Sequence, residues 1–462
     1  MNPNKPIYHL ALVTLQAESA HGIHSGASDL VQDVVLQRDA NGLPALPGTS
    51  IAGVLRHLYL GHYGAESTDN LFGFAQGDQG HSSGVQVGWG LVHDSSNTPQ
   101  EGLRENIEQD ELLLALSADH PIVRQRVRLD ARGTAQEQGK FDVTFIPAGV
   151  RYSTLISFWS DGTQADEQAW QNLLELLHSS AFRLGHGTRN GAGVFSVQAL
   201  HCGRWDLATE KDSFIKRPRT RVAARQLPLI SVKEPTQPLA VELKLKSESG
   251  WRIGGGDVAL GFAKDESPDL LPQTEWKINW SNQQASIGER VHLLPGSAIK
   301  GALVHRFAFH YRCLEGNWVT DEPVSPHLEQ AVRELFGYAG DREDEGQAGL
   351  VFIDDIYLDD AQTTTQMHNR IDQFTGGVMT GALFEEGLLW QTDIKIKLQL
   401  HNSERLNALS DDYREALKRT LDDLCTGRLP LGASSSRGHG VFLATETAVW
   451  SDQGQWINGG EA

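Results

Sequence analysis

Apolar and polar residues alternate most cleanly in two stretches of the chain. In LAVELKLKS, Leu239, Val241, Leu243 and Leu245 alternate with Glu242, Lys244 and Lys246, and in DIKIKLQL, Ile394, Ile396, Leu398 and Leu400 alternate with Lys395, Lys397 and Gln399. A period of two predicts strands with one buried face. Just after the second stretch the period changes. Tyr413, Leu417, Leu421 and Leu424 form a stripe at helical spacing, with Ser410 or Asp411 placed to cap the helix. Near the start, Ile7 to Gln16 predicts another strand.

These elements belong to a repeat, which governs the fold before any single motif does. Each half opens with a strand, 7–16 and 239–247, that runs into a small-residue loop, HSGASD or RIGGGD. LPGTSIAGVLRH then matches LPGSAIKGALVHR, with Pro47 and Pro295 248 positions apart, and LFGFA matches LFGYA. RLD at 128–130 matches RID at 370–372, and RLGHGTRNGAGVF at 183–195 matches RLPLGASSSRGHGVF at 428–442. Five matches in one order mean a duplication. Each half reads as β-α-β-β-α-β with an inserted hairpin, an α+β arrangement of two tandem ferredoxin-like (RRM-like) units with helices on one sheet face. The expected units are 1–203 and 238–462. Between them, 204–237 loses periodicity and carries Lys216, Arg217, Arg219, Arg221 and Arg225, either a solvated linker or a basic strap for a polyanion.

Composition narrows the class. At 462 residues the chain is natural for two domains, and no apolar run approaches the roughly 20 residues of a membrane span. The N-terminal MNPNKPIYHL has no signal-peptide pattern, and the three cysteines, Cys202, Cys313 and Cys425, suggest neither a disulfide framework nor a zinc site. A cytoplasmic protein with no membrane partner is expected. The net charge of -19 opposes generic nucleic-acid binding, so any such contact must rest on a local field.

The motifs carry definite chemistry. Pro-Gly-Ser/Thr before an apolar-periodic run predicts a helix start whose free amides attract phosphate, placing Thr49, Ser50, Ser297 and Ala298 at an anion, supported by Arg56 and Lys300. The Gly-rich loops, 185–193 and 432–440, allow close backbone approach and hold Arg189 and Arg437. No Gly-Lys-Ser/Thr follows either loop, which excludes a P-loop nucleotidase. His21 and His24 lack a third ligand for a metal.

Taken in order and twice over, HSGASD with Asp33 and Arg38, LPGTSIAGVLR, RLD and GTRNGAG resemble the RAMP superfamily, and in particular the double backbone subunits of type III CRISPR effectors (III-D-like). Departures are Ala52 for the usual Lys, Val304 for the later Arg, and Arg252 in place of His24. The second half also has 38 residues from Asp257 to Pro295, against 18 from Asp29 to Pro47. The resemblance implies RAMP domains with thumb hairpins at 123–150 and 366–390 that wedge into a guide–target duplex. It implies crRNA and target RNA as ligands, with a polymerase-like large subunit and further RAMP subunits as partners. The implied RNA contacts are His24, Arg38, Ser50, Arg56, Arg128, Arg189, Arg252, Ser297, Lys300, Arg370 and Arg437. Asp33, five residues before Arg38, is the implied catalytic carboxylate and holds a divalent ion, Mg2+ or Mn2+. Asp29 is its rival, and Asp39 belongs to the next turn. In the second half Asp265 is the catalytic expectation, with Asp269 as alternative. The two rival readings are a non-cleaving structural RNA-binding subunit and a guide-processing endonuclease that uses His186 or His439.

Overall fold

The protein is described from a computed structural model covering residues 5–26, 35–130, 133–255, 260–261, 267–317, 329–338 and 346–461. The first half contains β1 (Ile7–Ala17), α1 (Gly48–Phe72, broken at Gly64), β2 (Val85–Val87), β3 (Gly90–Val92), a hairpin of β4 (Ile122–Leu129) and β5 (Ala135–Phe145), β6 (Arg151–Ser160), α2 (Gln164–Leu176), β7 (Asn190–Gly191) and β8 (Phe195–Asp206). The second contains β9 (Leu239–Ser247), a hairpin of β10 (Thr274–Ser281) and β11 (Gln284–Leu294), α3 (Gly296–Leu314), β12 (Val351–Asp354), a hairpin of β13 (Gln362–His368) and β14 (Phe384–Trp390), β15 (Asp393–Leu400), α4 (Asp411–Cys425) and β16 (Phe442–Ala444).

The α+β class and the repeat are visible in the sheets. The first sheet runs β8-β1-β6-β3, with β2 also on β6, and the second runs β12-β15-β9-β16. In each, the half's first strand lies between the strand that precedes the late helix (β6 or β15) and the one that follows the Gly-rich loop (β8 or β16), antiparallel to both. The alternating strands keep their promise. β9 pairs Leu239 with Leu400 and Leu245 with Ile394, and its inward residues join those of α3 and α4 in one core. The stripe on α4 is buried at Tyr413, Leu417, Leu421 and Leu424; Ser410 is its N-cap position, though its side chain makes no capping bond.

The basic segment between the halves is anchored in part on the first half, while Lys216 and Arg219 stay exposed. β8 extends through 204–206, and short helices follow at Lys211–Ile215 and Arg221–Ala224. Tyr8, Leu10, Trp205 and Phe214 form an apolar cluster on the outer face of the first sheet. Arg217 stacks on Phe214 and Tyr8, and Arg221 binds Glu101 and the carbonyls of Ser153 and Trp89. Arg225 bonds the carbonyl of Asn97. Aromatic burial fixes this strap to the protein itself.

The two halves share more than a linker. β7, from the first Gly-rich loop, pairs in parallel with β12 of the second sheet, Asn190 with Ile353 and Gly191 with Asp354. The extra residues of the second half form the β10–β11 hairpin, which reaches back to the first half. Ile278 enters the first core, Trp280 bonds the carbonyl of Gly149, and Trp276 bonds that of Pro121. Burying one such isoleucine contributes about 1.5–3 kcal/mol. Gly149 has φ 88, and a Cβ there would overlap the carbonyl of Ile278. At the centre, Arg124 on β4 grips Glu275 through two bonds of 2.6 and 2.8 Å and Asp355 at 2.8 Å. All three side chains are almost wholly buried. Burial alone would lower the guanidinium pKa, but Asp355 and Glu275 outweigh it and keep Arg124 charged.

Removing one member of such a buried set leaves an uncompensated charge, at about 3–5 kcal/mol. Glu275→Gln should therefore lower the melting temperature and split a single calorimetric transition into two, one for each half. One transition at an unchanged temperature would show that the halves do not depend on this contact.

Candidate nucleic-acid interface

The recurrent motifs build one frame, twice. In the first half the Gly-rich loop is clamped to the loop after β1: the amide of His186 bonds the carbonyl of Gly22 (2.8 Å), and that of Gly193 bonds Ala20 (2.9 Å). In the second, the amide of Ala433 bonds Arg252 (2.9 Å) and that of Gly440 bonds Gly250 (3.1 Å). Gly185 and Gly432, both with φ 96, would each drive a Cβ into the carbonyl they face, Gly22 or Arg252. The close approach that these glycines permit is thus to the protein's own backbone. The hairpin base joins the same frame through the bridges His21–Ile146 and Trp251–Leu389.

This frame corrects the expected alignment of the two loops. His21 corresponds to Trp251 and Gly22 to Arg252, so Arg252 does not stand in place of His24; Gly254 does. The bridges His24–Leu36 and Gly254–Pro272 agree. Backbone pairing sets the register here, whereas the sequence match rested on spacing among glycines.

Both helix starts are built alike, and not as expected. Pro47 and Pro295 are the N-caps, with no side-chain cap in either case, so the Thr and Ser hydroxyls do not close the helix end. The amides of Ser50 and Ile51 bond the carbonyl of Pro47, and those of Ala298 and Ile299 bond that of Pro295. On α3 a carboxylate already occupies the first amide, Gly296 to Asp355 at 2.8 Å. Thr49 is exposed, and Ser50 and Ser297 are half-buried.

Several of the sequence-derived cations have protein partners. Arg38 bonds the carbonyls of Gly42, Leu116 and Ala118. Arg56 bonds the carbonyl of Gly73 and Asp69, tying down the end of α1. Arg189 bonds the carbonyl of Gly349 and lies over Phe352, and Arg183 beside it pairs with Asp354. Arg252 is buried on Glu386 at 2.7 Å. Arg128 and Arg370 are exposed near the tips of the β4–β5 and β13–β14 hairpins, and Arg437 is exposed on its loop. The second tip also presents Ile371, Phe374, Val378 and Leu383, with Phe374 88% exposed. Asp130 and Asp372 of the two matching tripeptides each close the tip turn, by accepting from Thr134 and Thr375 respectively.

Asp33 and Asp265, with Asp29, lie outside the described residues. What is described is the stem that carries the first of these loops. Ser25 bonds the carbonyl of Val35 and Gln37 that of Ile23, which pairs 23–25 with 35–37 on either side of His24. The His24 ring lies 5.5 Å from that of His186. Burial lowers the pKa of both, and Arg126 and His24 add to the effect on His186. His21 is a core residue, bonded to Tyr152 and lowered to about 3 by burial. Asp39 holds the following turn through the amides of Asn41 and Leu43. Asp269 accepts from the amide of Glu385. Among the described residues no group of three or more His, Cys, Asp and Glu is arranged for a metal ion.

Sequence reasoning missed Glu386 and His368. Glu386 on β14 is fully buried and meets Arg252, Ser434 at 2.9 Å, His368 at 3.0 Å and Arg437 at 3.1 Å. The signal was present as a mismatch between the halves, because the first half has Val143 where the second has Glu386.

The profile of the RAMP superfamily matches residues 14–196 and 244–442. No curated protein matches the chain. Among solved structures, it is similar to a chain of the type III-B Cmr-beta complex bound to cognate target RNA, at 13% identity and a TM-score of 0.30, over 42% of this chain and 60% of that one. It is also similar to a chain of the apo type III-B Cmr-beta structure, at 11% identity and a TM-score of 0.32, over 41% of this chain and 96% of that one.

Lys300 gives this region a measurable pH signature. Burial, and then the charge of Arg189, lower its amine from 10.5 to about 7. The unfolded chain holds that proton to higher pH, so the penalty of a buried charge is full below about pH 7 and fades as pH rises toward 10.5. Lys300→Met should therefore raise the melting temperature most at pH 6–7, with the gain shrinking steadily above that. A gain independent of pH would mean that the amine is not desolvated.

Proposed function

We propose, for a chain that belongs to the RAMP superfamily, that it is an RNA-binding backbone subunit of a type III CRISPR effector, built from two ferredoxin-like units. The observation that supports this reading is the duplicated frame, in which a Gly-rich loop and the base of a protruding hairpin both meet the loop that follows each first strand. Its ligands are a guide crRNA and a paired target RNA, and further effector subunits extend the assembly. The hairpin tips, with Arg128 on one and Arg370 beside exposed Phe374 and Ile371 on the other, suit a duplex that is both gripped at phosphate and parted between bases.

The reading extends to target cleavage. Asp33 would hold a divalent ion, Mg2+ or Mn2+, together with oxygens of the RNA. The ion would supply charge stabilisation at the phosphate. The protein's own part is to align a displaced nucleotide so that its 2′-OH lies in line with the adjacent phosphorus. The second reading is a subunit that binds RNA without cutting it, favoured by the number of arginines already bound within the protein.

Two measurements separate these. Asp33→Ala should leave guide and target assembly intact and slow one target cut by about 10²–10⁴-fold; cutting at the normal rate at every site would leave the first half a scaffold. For binding, Arg128→Ala and Arg370→Ala should each flatten the dependence of log affinity on log salt by about 0.7, the value for one single-strand phosphate. An unchanged slope would take the hairpin tips off the RNA.

A further inference from the structure

The duplication lets one half show what the other leaves open. The buried stripe Trp170, Leu174 and Leu177 of the first half matches Leu417, Leu421 and Leu424 of the second. The loops that follow close alike, the amides of Leu184 and Leu431 bonding the carbonyls of Gly193 and Gly440 at 2.9 Å. In this register Glu167 and Gln171 on α2 stand where Arg414 and Lys418 stand on α4. On the neighbouring edge strand, Cys202 of β8 pairs with Ala11 of β1, and Trp450 pairs with Val241 of β9. Ala11 and Val241 are equivalent in the register that matches His21 with Trp251, so a cysteine in the first half takes the place of a tryptophan in the second.

In the second half the chain itself fills the space beside these positions. Trp456 is fully buried there, with Ile457 next to it in the core. The Trp456 indole donates to the carbonyl of Leu406 at 3.3 Å, Arg414 lies over the ring, and Trp450 packs against it at 6.3 Å. Lys418 holds the same turn through Asn458 at 3.2 Å. In the first half the corresponding space is a groove of about 560 Å³. Its floor is His9, Trp170, Leu174 and Cys202. One wall is α2; the other is the segment 230–233, which follows β8 through the amide of Ile230 on the carbonyl of Leu200 at 2.8 Å. Among the described residues that line it, Glu167 is the one carboxylate, against the exposed cations Arg204 and Lys233. Glu167 lies 3.4 Å from Arg204 and 3.2 Å from His9.

We propose that this groove seats an aromatic side chain of another protein, presented in a short turn on an acidic segment. The Trp456 turn is the template for the occupant: the same architecture, one repeat along, closes the same space with an indole. The groove is open because Cys202 is small where Trp450 is large, and because 230–233 covers it only in part. The incoming ring lies over Trp170 and Cys202. An aromatic side chain buries about 150–250 Å², and a ring seated centrally within a polar rim is the usual arrangement of an interface anchor. The rim sets the charge preference. Arg204 and Lys233 outnumber Glu167, so a flanking Asp or Glu is attracted and a flanking Lys or Arg is opposed. The proposal does not depend on RNA, and failure of the RNA-binding reading would leave it intact.

The experiment measures the anisotropy of labelled peptides against the full chain. One set carries a single Trp between Asp and Glu residues, and a matched set carries it between Lys and Arg residues. The acidic set should bind saturably, and more weakly as salt rises, while the basic set should not bind. Replacing the peptide's Trp by Ala should cost about 30-fold in affinity, and Lys233→Glu in the protein about 2–5-fold. Cys202→Trp, which copies the ring at Trp450, should fill the groove and abolish binding at an unchanged melting temperature. Lys233→Glu alters an exposed side chain and carries the test if Cys202→Trp does not fold. Lack of saturable binding by the acidic set, equal binding by the basic set, or binding that survives both variants overturns the proposal. Self-association of the unlabelled chain that Cys202→Trp abolishes would put a second copy in the groove and overturn its assignment to another protein.

Discussion

Arg124 has to keep its charge where water does not reach, and the relative placement of the two halves depends on how it does so. Its partners come from two separate pieces of the second half, Glu275 on the inserted hairpin and Asp355 just past β12. Asp355 also holds the first amide of α3, and Gly191 of the first Gly-rich loop packs against it. A small slide of one half over the other would break several of these contacts at once and strand a charge out of reach of solvent. Ion pairs of this kind are poor sources of net stability but severe on misplacement. Here the severity falls on the joint between two repeats, where apolar packing alone would tolerate sliding.

That joint explains how the inserted hairpin and the first Gly-rich loop are used. The loop contributes β7 to the second sheet, covering an edge that would otherwise expose unpaired backbone groups. The hairpin places Ile278, Trp276 and Trp280 against the first half. Each half therefore lends the other a piece of itself. Asp355 sits at the crossing of these loans, pairing with Arg124 of the first hairpin and accepting from the first amide of α3.

The repeat, both alternating strands of the second half and the α4 stripe were legible because each is a local pattern that burial enforces. The frame was legible for a related reason: Gly185, Gly193, Gly432 and Gly440 stand where backbone meets backbone, and their spacing survives in the sequence. Long-range partnerships were not legible. Nothing in TEWKINW indicates that Trp276 will bond Pro121, and nothing in KRPRTRVAAR indicates that Phe214 and Trp205 will draw that segment onto the first sheet. The cluster around Glu386 was hidden for another reason. The sequence comparison scored agreement between the halves, whereas this cluster is defined by their disagreement. Asp33 and Asp265 remain sequence-based assignments, since they lie outside the described residues.

The net charge of -19 makes an RNA-binding reading answer a physical question about where attraction arises. Arg38, Arg56 and Arg252 are engaged by carbonyls or carboxylates, and Arg189 serves the joint between the halves. Lys300 sits where burial drives its amine toward neutrality. Arg128 and Arg370 on the hairpins are then the outward cations of this set, and Arg437 at the second loop is exposed while pairing with Glu386 at 3.1 Å. Three phosphate contacts give a modest salt-linked contribution, so in this reading much of the affinity must come from other sources. The exposed apolar groups of the second hairpin tip supply stacking surface, which is worth about 1–3 kcal/mol per base for aromatic side chains and depends little on net charge. An acidic exterior with a few placed cations also weakens attachment of RNA that cannot fill the frame, because such RNA meets the repulsive field without the compensating contacts. On this account the acidity acts as a filter on which RNA is held, and it does not contradict the binding itself.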